Sequence, residues 1–338
     1  MKMNIQRVMG QLTLAGVTAL IGLAPFAQMA FAEDAAAWPS RPITMVVPFA
    51  AGGPVDAVAR ITAAALSDQL GKNVIVENVG GAGGMIGTAR VAKGPRDGYQ
   101  LVLGNVGTHA GNQTLYRHPQ YNVLTDFIPV ALVAQAPEVL LARKDFPASD
   151  ISSFVAYAKA NETKIRFGSG GTGSTTHLSC ALFNAATGIK PTHVPYRGGA
   201  PAVQDLDAGR IDYLCIEPIV AAPQVRGHLA KAIAVLSAAR SPSLPEVRTA
   251  QEQGLAGLDV TNWFGIFAPT GTPDAVVTKL HDALVSALEK TSVKARLQKI
   301  GADPIASQRM SSAYFKSFLA SEIEKWAAPI KANNLQIE

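Results

Sequence analysis

Two glycine-rich segments have the composition of anion-binding turns: Pro48-Phe49-Ala50-Ala51-Gly52-Gly53-Pro54-Val55-Asp56 and Gly168-Ser169-Gly170-Gly171-Thr172-Gly173-Ser174-Thr175. Each follows a short β-branched or aromatic run, residues 43–47 and 165–167, and precedes an amphipathic stretch, a pattern that predicts a strand leading into a helix. The first N–H groups of a helix have no intrahelical partner, and the helix dipole adds about half a positive charge there. Such a turn attracts carboxylate or phosphate without Lys or Arg. Glycine lets a ligand approach the backbone closely. The two turns read as two halves of one anion site.

Other chemistries fit less well. Gly168-x-Gly170-x-x-Gly173 matches the dinucleotide fingerprint in letters, but the strand expected next, 192–196, ends without the acid that would hold a ribose. Gly-x-Ser-x-Gly, Ser-x-x-Lys with its companions and His-Glu-x-x-His are absent. Ser174 and His177 lie one helical turn apart, so a hydrolase or transferase using them is the alternative to a binding protein. The preferred reading is that Ser174 or Thr175 caps the helix and His177 lines a cleft. Asp56, at the start of the first helix, reads as a cap, because its charge would repel an anion. The six His are dispersed and neither Cys sits in Cys-x-x-Cys, which argues against zinc. No cofactor and no metal are expected.

These residues must be positioned by alternating strands and helices. Strand 43–47 leads to a helix over 55–70, then strand 74–77 reaches a third glycine-rich turn, Gly80-Gly81-Ala82-Gly83-Gly84, and a helix to about Lys93. Strand 101–103 ends in a polar loop, 104–109. The pattern restarts with strand 139–142, helix 151–160, strand 165–167, helix 174–187, strand 193–196, a helix to about Ala208, and strands 211–216 and 232–236. The extended run 260–267 reads as a return crossing, followed by helices 274–290, 293–300 and 311–332 that carry no strand and pack on the first domain. Alternating units imply parallel sheets covered by helices, with ligands at the carboxyl ends of the strands.

Lys2 and Arg7 precede an uncharged run that ends Ala30-Phe31-Ala32, which reads as a secretory signal peptide over 1–32. The mature chain would begin at or near Glu33, soluble in the periplasm. Removing residues 1–32 takes Lys+Arg from 30 to 28 against Asp+Glu 25. The basic residues are scattered, so no nucleic-acid partner is expected. In an oxidising compartment Cys180 and Cys215 can pair, the alternative being two buried thiols. One sits on the helix after the second turn and the other on a neighbouring strand, which predicts a disulfide.

The sequence resembles the substrate-binding proteins of tripartite tricarboxylate transporters, the Bug-type family of extracytoplasmic receptors. The resemblance begins at Trp38-Pro39-Ser40-Arg41-Pro42-Ile43 and runs through residues 47–56, Val76-Glu77-Asn78, Gly81-Ala82-Gly83-Gly84 and Asp97-Gly98-Tyr99. It resumes at Gly173-Ser174-Thr175-Thr176-His177-Leu178, His193-Val194-Pro195-Tyr196-Arg197-Gly198-Gly199, Ala208-Gly209-Arg210-Ile211-Asp212, Arg240-Ser241-Pro242, Trp263-Phe264-Gly265 and residues 268–273. It implies an α/β, two-lobed periplasmic-binding-protein clamshell, type II-like, each lobe a mainly parallel sheet flanked by helices, with two hinge crossings. The lobes would be 38–137 plus 262–338, and 138–261.

The resemblance also implies a monomer that binds a small carboxylate, aliphatic or aromatic, and delivers it to integral-membrane transporter subunits. Phe49, Ala50 and Gly53 in the first turn and Ser169, Gly170, Ser174, Thr175 and His177 in the second would occupy the ligand-facing loops. Asn78, Gly81, Thr108, Tyr196 and Gly198 are further candidates. Glu217 stands where the family more often has Asp, a departure that bears on selectivity at the far end of the ligand.

Overall fold

The computed structural model describes residues 37–337. The signal peptide expected over 1–32 lies outside them. The strands are β1 (Ile43–Val47), β2 (Val74–Asn78), β3 (Gln100–Asn105), β4 (Phe127–Pro137), β5 (Val139–Arg143), β6 (Arg166–Ser169), β7 (Thr192–Pro195), β8 (Tyr213–Ile216), β9 (Ala230–Val235), β10 (Thr261–Pro269) and β11 (Asp303–Pro304). The helices are α1 (Pro54–Leu70), α2 (Met85–Ala92), α3 (Asn112–Leu115), α4 (Val123–Asp126), α5 (Ile151–Ala160), α6 (Thr175–Thr187), α7 (Gly199–Asp207), α8 (Pro218–Arg226), α9 (Asp274–Glu289), α10 (Thr291–Lys299) and α11 (Ser312–Ala332).

Two sheets result, ordered β11-β4-β10-β3-β1-β2 and β7-β6-β8-β5-β9. The parallel strands expected for each lobe are present as β2-β1-β3 and β7-β6-β8. The remaining strands join antiparallel, so both sheets are mixed. The connections explain this. A strand that leaves one sheet and its partner that returns must run in opposite directions, and β4 and β10 are that pair, opposed from Thr261–Pro137 to Pro269–Phe127. β4 passes through Glu138 directly into β5.

Three backbone hydrogen bonds tie the crossings together. Glu138 N–H donates to the Val260 carbonyl (3.1 Å), Val260 N–H to Leu236 (2.8 Å) and Leu236 N–H to Glu138 (2.7 Å). Sequence reading had no strand at β4. Pro129, near the start of β4, stands opposite Phe267 beside a register shift, the kind of irregularity at which a sheet tolerates proline. The C-terminal helices, expected to carry no strand, contribute the two-residue β11 to the edge beside β4.

Helix boundaries follow local chemistry. α1 starts at Pro54 and ends at Gly71 in the left-handed region (φ 65°). α5 begins with a capping box between Asp150 and Ser153. α6 is capped by Ser174 and closed by Gly188 (φ 67°). Their apolar faces cover strands whose side chains are fully buried, among them Val46, Leu101, Leu103, Leu140, Leu214 and Ile216, each contributing about 1.5–3 kcal/mol by leaving water. Cys180 on α6 and Cys215 on β8 form the expected disulfide, with Cα atoms 5.4 Å apart.

Candidate functional site

The first turn ends in a helix start with no side-chain cap. Gly53 is the N-cap and Pro54 the first helical residue, so the N–H groups of Val55 and Asp56 have no intrahelical acceptor. Asp56 does not cap the helix as expected. Its carboxylate turns back to accept from Gly52 N–H (2.9 Å), from Arg60 (2.9 and 3.0 Å) and from Asn78 (2.9 Å). Burial alone would raise its pKa, but these hydrogen bonds outweigh burial and hold it below the usual carboxylate range. Asn78 also donates to the Phe49 carbonyl (3.1 Å), and so holds the turn from behind.

The second turn spends most of its donors on itself. Ser174 Oγ donates to the Gly171 carbonyl (2.7 Å) and accepts from His177 N–H (3.3 Å). Gly170 N–H goes to Thr176 Oγ1 (2.7 Å), Gly171 N–H to Ser169 Oγ (3.1 Å) and Gly173 N–H to His177 Nδ1 (3.3 Å). What remains is the start of α6, the N–H groups of Thr175 and Thr176. His177 stacks on His193 at 4.3 Å between ring centres. Burial, and then His193, pushes His177 down to about 3, and burial brings His193 down to about 4, so both rings are neutral near pH 7.

The third glycine-rich turn is where the lobes press together. A Cβ on Gly80 would lie 2.8 Å from the Arg197 carbonyl, and one on Gly171 would lie 3.0 Å from Gly83 N. Gly81 accepts from Gly84 N–H (3.0 Å) within that turn. Ala50 N–H donates to the Arg197 carbonyl (2.9 Å), and a Cβ on Gly198 would meet Ala50 N at 2.9 Å. Tyr196, next to Arg197, donates its hydroxyl to Asp205 (2.6 Å) and is pushed up to about 12, first by burial. Thr108 is fully buried in the tight π-turn 107–111, where its hydroxyl accepts from Asn105 N–H (3.1 Å) and sits 2.9 Å from His109 Nδ1.

Between these turns lies a narrow cavity of ≈ 20 Å³ lined by Phe49, Gly53, Pro54, Val55, Asn105, Gly170, Ser174, Thr175, Thr176, Gly199 and Glu217. Six of these are candidates from the sequence: Phe49, Gly53, Gly170, Ser174, Thr175 and Glu217. Ala50, Asn78, Gly81, Thr108, Ser169, His177, Tyr196 and Gly198 surround or brace the lining. The helix expected to run to about Ala208 is α7, and what the sequence pattern did not show is that it brings a third N-terminus to the site. Gly199 and Ala200 open α7, Gly198 is its N-cap, and its first N–H groups point the same dipole at the same space. The repeated Gly198-Gly199 before Pro201 was the available signal. A larger cavity, ≈ 380 Å³ lined by Leu182, Ala185 and Trp326, lies along the flanks of α6 and α11, away from their N-termini.

Asn262 was also missed. On β10, in an otherwise aromatic run, it is fully buried and joins three elements. Its Oδ1 accepts from Val106 N–H (3.2 Å) and Thr175 Oγ1 (3.3 Å), while its Nδ2 donates to Glu217 (2.5 Å). Thr175 Oγ1 accepts in turn from Gly107 N–H (3.0 Å). A polar residue in a central apolar strand marks such a network, because a buried amide left unbonded costs about 1–3 kcal/mol.

For catalysis, a nucleophile and its base must be bonded. Ser174 Oγ and the His177 ring are each bonded elsewhere. The serine–histidine contact near the turns, Ser169 Oγ to His193 Nε2 at 2.7 Å, is part-buried and supports Gly171, and Ser312 Oγ lies 3.2 Å from His281 Nδ1 elsewhere in the fold. Among the described residues no group of three His, Cys, Asp or Glu is placed to hold a metal ion.

Two α/β lobes joined by paired crossing strands, with helix N-termini facing one cavity, define a two-lobed solute receptor. The chain belongs to the tripartite tricarboxylate transporter family receptors, whose family model matches residues 58–335. It is similar in structure to the periplasmic binding protein BugD, with a TM-score of 0.86 and 36% identity, over 89% of this chain and 100% of the other. It is also similar to MatC of Rhodopseudomonas palustris with bound malate, with a TM-score of 0.84 and 38% identity over 87% and 100%. A Rhodopseudomonas palustris protein with adipate gives a TM-score of 0.83 and 35% identity over 88% and 98%. The chain is thus a solute-binding transport receptor of that periplasmic family.

Proposed function

We propose that the protein captures a small organic carboxylate in the cavity between its turns and delivers it to the integral-membrane subunits of a tripartite tricarboxylate transporter. One observation carries this reading: the N-termini of α1, α6 and α7 converge on a cavity whose lining contains no Lys, Arg or His. Three aligned helix dipoles and their unpaired N–H groups favour an anion held by backbone. Micromolar affinity needs about 8 kcal/mol, and hydrogen bonds to a charged group supply roughly 1.5–3 kcal/mol each. Three or four such donors suffice.

In this reading the lobes are 38–137 plus 262–338, and 138–261, and the monomer closes because contacts from both lobes to the solute exist only in the closed form. The exported chain begins near Glu33. A calorimetric screen of mono-, di- and tricarboxylates, aliphatic and aromatic, tests the proposal. One-to-one binding that disappears when the carboxylate is amidated is expected. A preferred solute without an acid group, or turnover of a carboxylic ester, would overturn it.

A further inference from the structure

Glu217 is out of place in a cavity for anions. It is the only ionisable side chain in the lining, it is 2% exposed, and its Oε2 has no hydrogen-bond partner among the described residues. Its Oε1 is held by Asn262 Nδ2. The strand register adds a second carboxyl. β5 and β8 are antiparallel with Val139 opposite Ile216, so the next positions outward, Glu138 and Glu217, face each other across the ladder. Cβ atoms of such a pair are roughly 4.5–5.5 Å apart.

Glu138 is fully buried and neither of its oxygens has a partner among the described residues. Charges from the surrounding elements do not compensate. Arg143, at the far end of β5, is bonded to Asp212. On α1, Arg60 is bonded to Asp56. On α7, Asp205 is bonded to Tyr196 and Arg210. β10 enters the site as Thr261-Asn262-Trp263, without charge.

Two buried carboxylates side by side, without a cation, do not ionise together. Burial, together with Glu217, pushes Glu138 well above the usual range, and burial pushes Glu217 up less markedly against the Asn262 hydrogen bond. Glu138, with nothing to solvate a charge, keeps the proton. Glu217, with one donor and the cavity in front of it, is the better placed of the two to carry a charge.

Resting on the carboxylate reading above, we propose that Glu217 is a specificity residue whose unpartnered oxygen requires a hydrogen-bond donor on the solute. The solute is therefore a carboxylic acid bearing a hydroxyl or an ammonium group, its acid end on the helix N-termini and its donor on Glu217. An ammonium neutralises the buried charge; a hydroxyl satisfies the oxygen. A plain diacid of the same length does neither.

The test is calorimetry on the mature protein with matched sets: succinate, malate and aspartate; glutarate, 2-hydroxyglutarate and glutamate; adipate and 2-aminoadipate. At the chain length that binds, the hydroxy or amino acid is expected to bind about tenfold or more tighter than the plain diacid, and the two donor arms tell hydroxyl from ammonium. E217Q should bring the plain and donor-bearing acids within about threefold of each other. E138Q, which imitates the protonated acid, should keep the wild-type preference. Plain diacids binding the wild type as well as their donor-bearing partners would overturn the proposal, whatever the variants do. A preference that survives in folded E217Q would overturn it too. Failure of every carboxylate to bind would instead sink the carboxylate reading on which this one rests.

Discussion

The two glycine-rich turns flank one cavity and are held in place by different means. The first has no side-chain cap, and its geometry is imposed from outside by Asp56, Arg60 and Asn78. The second is held from within by Ser169, Ser174, Thr176 and His177, and the helix behind it is fastened to β8 by Cys180–Cys215. The first turn can therefore be blocked by bulk with little loss of fold, whereas the second ties local stability to the site.

The largest effect is expected at Gly53. A Cβ there would meet its nearest atoms at 3.7 Å, ordinary contact, so Gly53→Ala should bind nearly as wild type. Gly53→Phe should melt normally yet lose solute binding by about a hundredfold or more, since the ring would occupy the cavity and bar the backbone. Normal calorimetric binding by a folded Gly53→Phe protein would end the idea of a shared site.

Next comes the staple of the second lobe. With a sequence separation of 35, chain entropy gives the disulfide about 3.8 kcal/mol of stabilisation. A Cys180→Ser, Cys215→Ser protein should show that loss in urea unfolding, up to the full figure. Unchanged unfolding would show that packing of α6 on β8 dominates there.

A smaller loss is expected for Ser174→Ala, about 0.5–2 kcal/mol, read as a lowered melting temperature. The first turn has no equivalent cap to lose. Thr175→Ala removes the hydroxyl shared with Gly107 and Asn262 and should weaken solute binding more than it weakens folding. The reverse order would place Thr175 with the caps.

Acid separates the turns by the pH window in which each loses stability, the sign being the same for both. The Asp56 pKa is depressed in the fold, so its stabilisation is present above the unfolded value near 3.8 and is lost only as pH falls through the lower folded value. His177 and His193 are also depressed, to about 3 and about 4. The unfolded chain then binds more protons over this range, so stability falls as pH drops from about 6.5 toward those values. Melting temperature against pH should begin to decline between pH 6.5 and 5 in wild type and in Asp56→Asn. A His177→Phe, His193→Phe protein should hold its plateau to lower pH. A wild-type plateau that extends unchanged below pH 5 would contradict the neutral stacked pair.

Much was legible before any coordinates. The β-branched runs, the glycines that follow them, the Ser174 cap and Gly188 stop fix where strands hand over to helices, because these are short-range effects of backbone sterics and unpaired N–H groups. The expectation of an anion site at both turns rests on the same short-range effects. β4 was hidden because prolines near its ends obscure an apolar run, and α8 because a helix of nine residues with an internal Pro223 has little periodicity.

Tertiary structure alone decided the rest. Which donors face the cavity depends on which are already used within the loops, as Gly170 and Gly173 are. That α7 joins α1 and α6 at one point, that Asn262 ties both lobes, and that Glu138 stands opposite Glu217 all follow from strand order and register. Those are set by residues far apart in the chain, and no local pattern carries them.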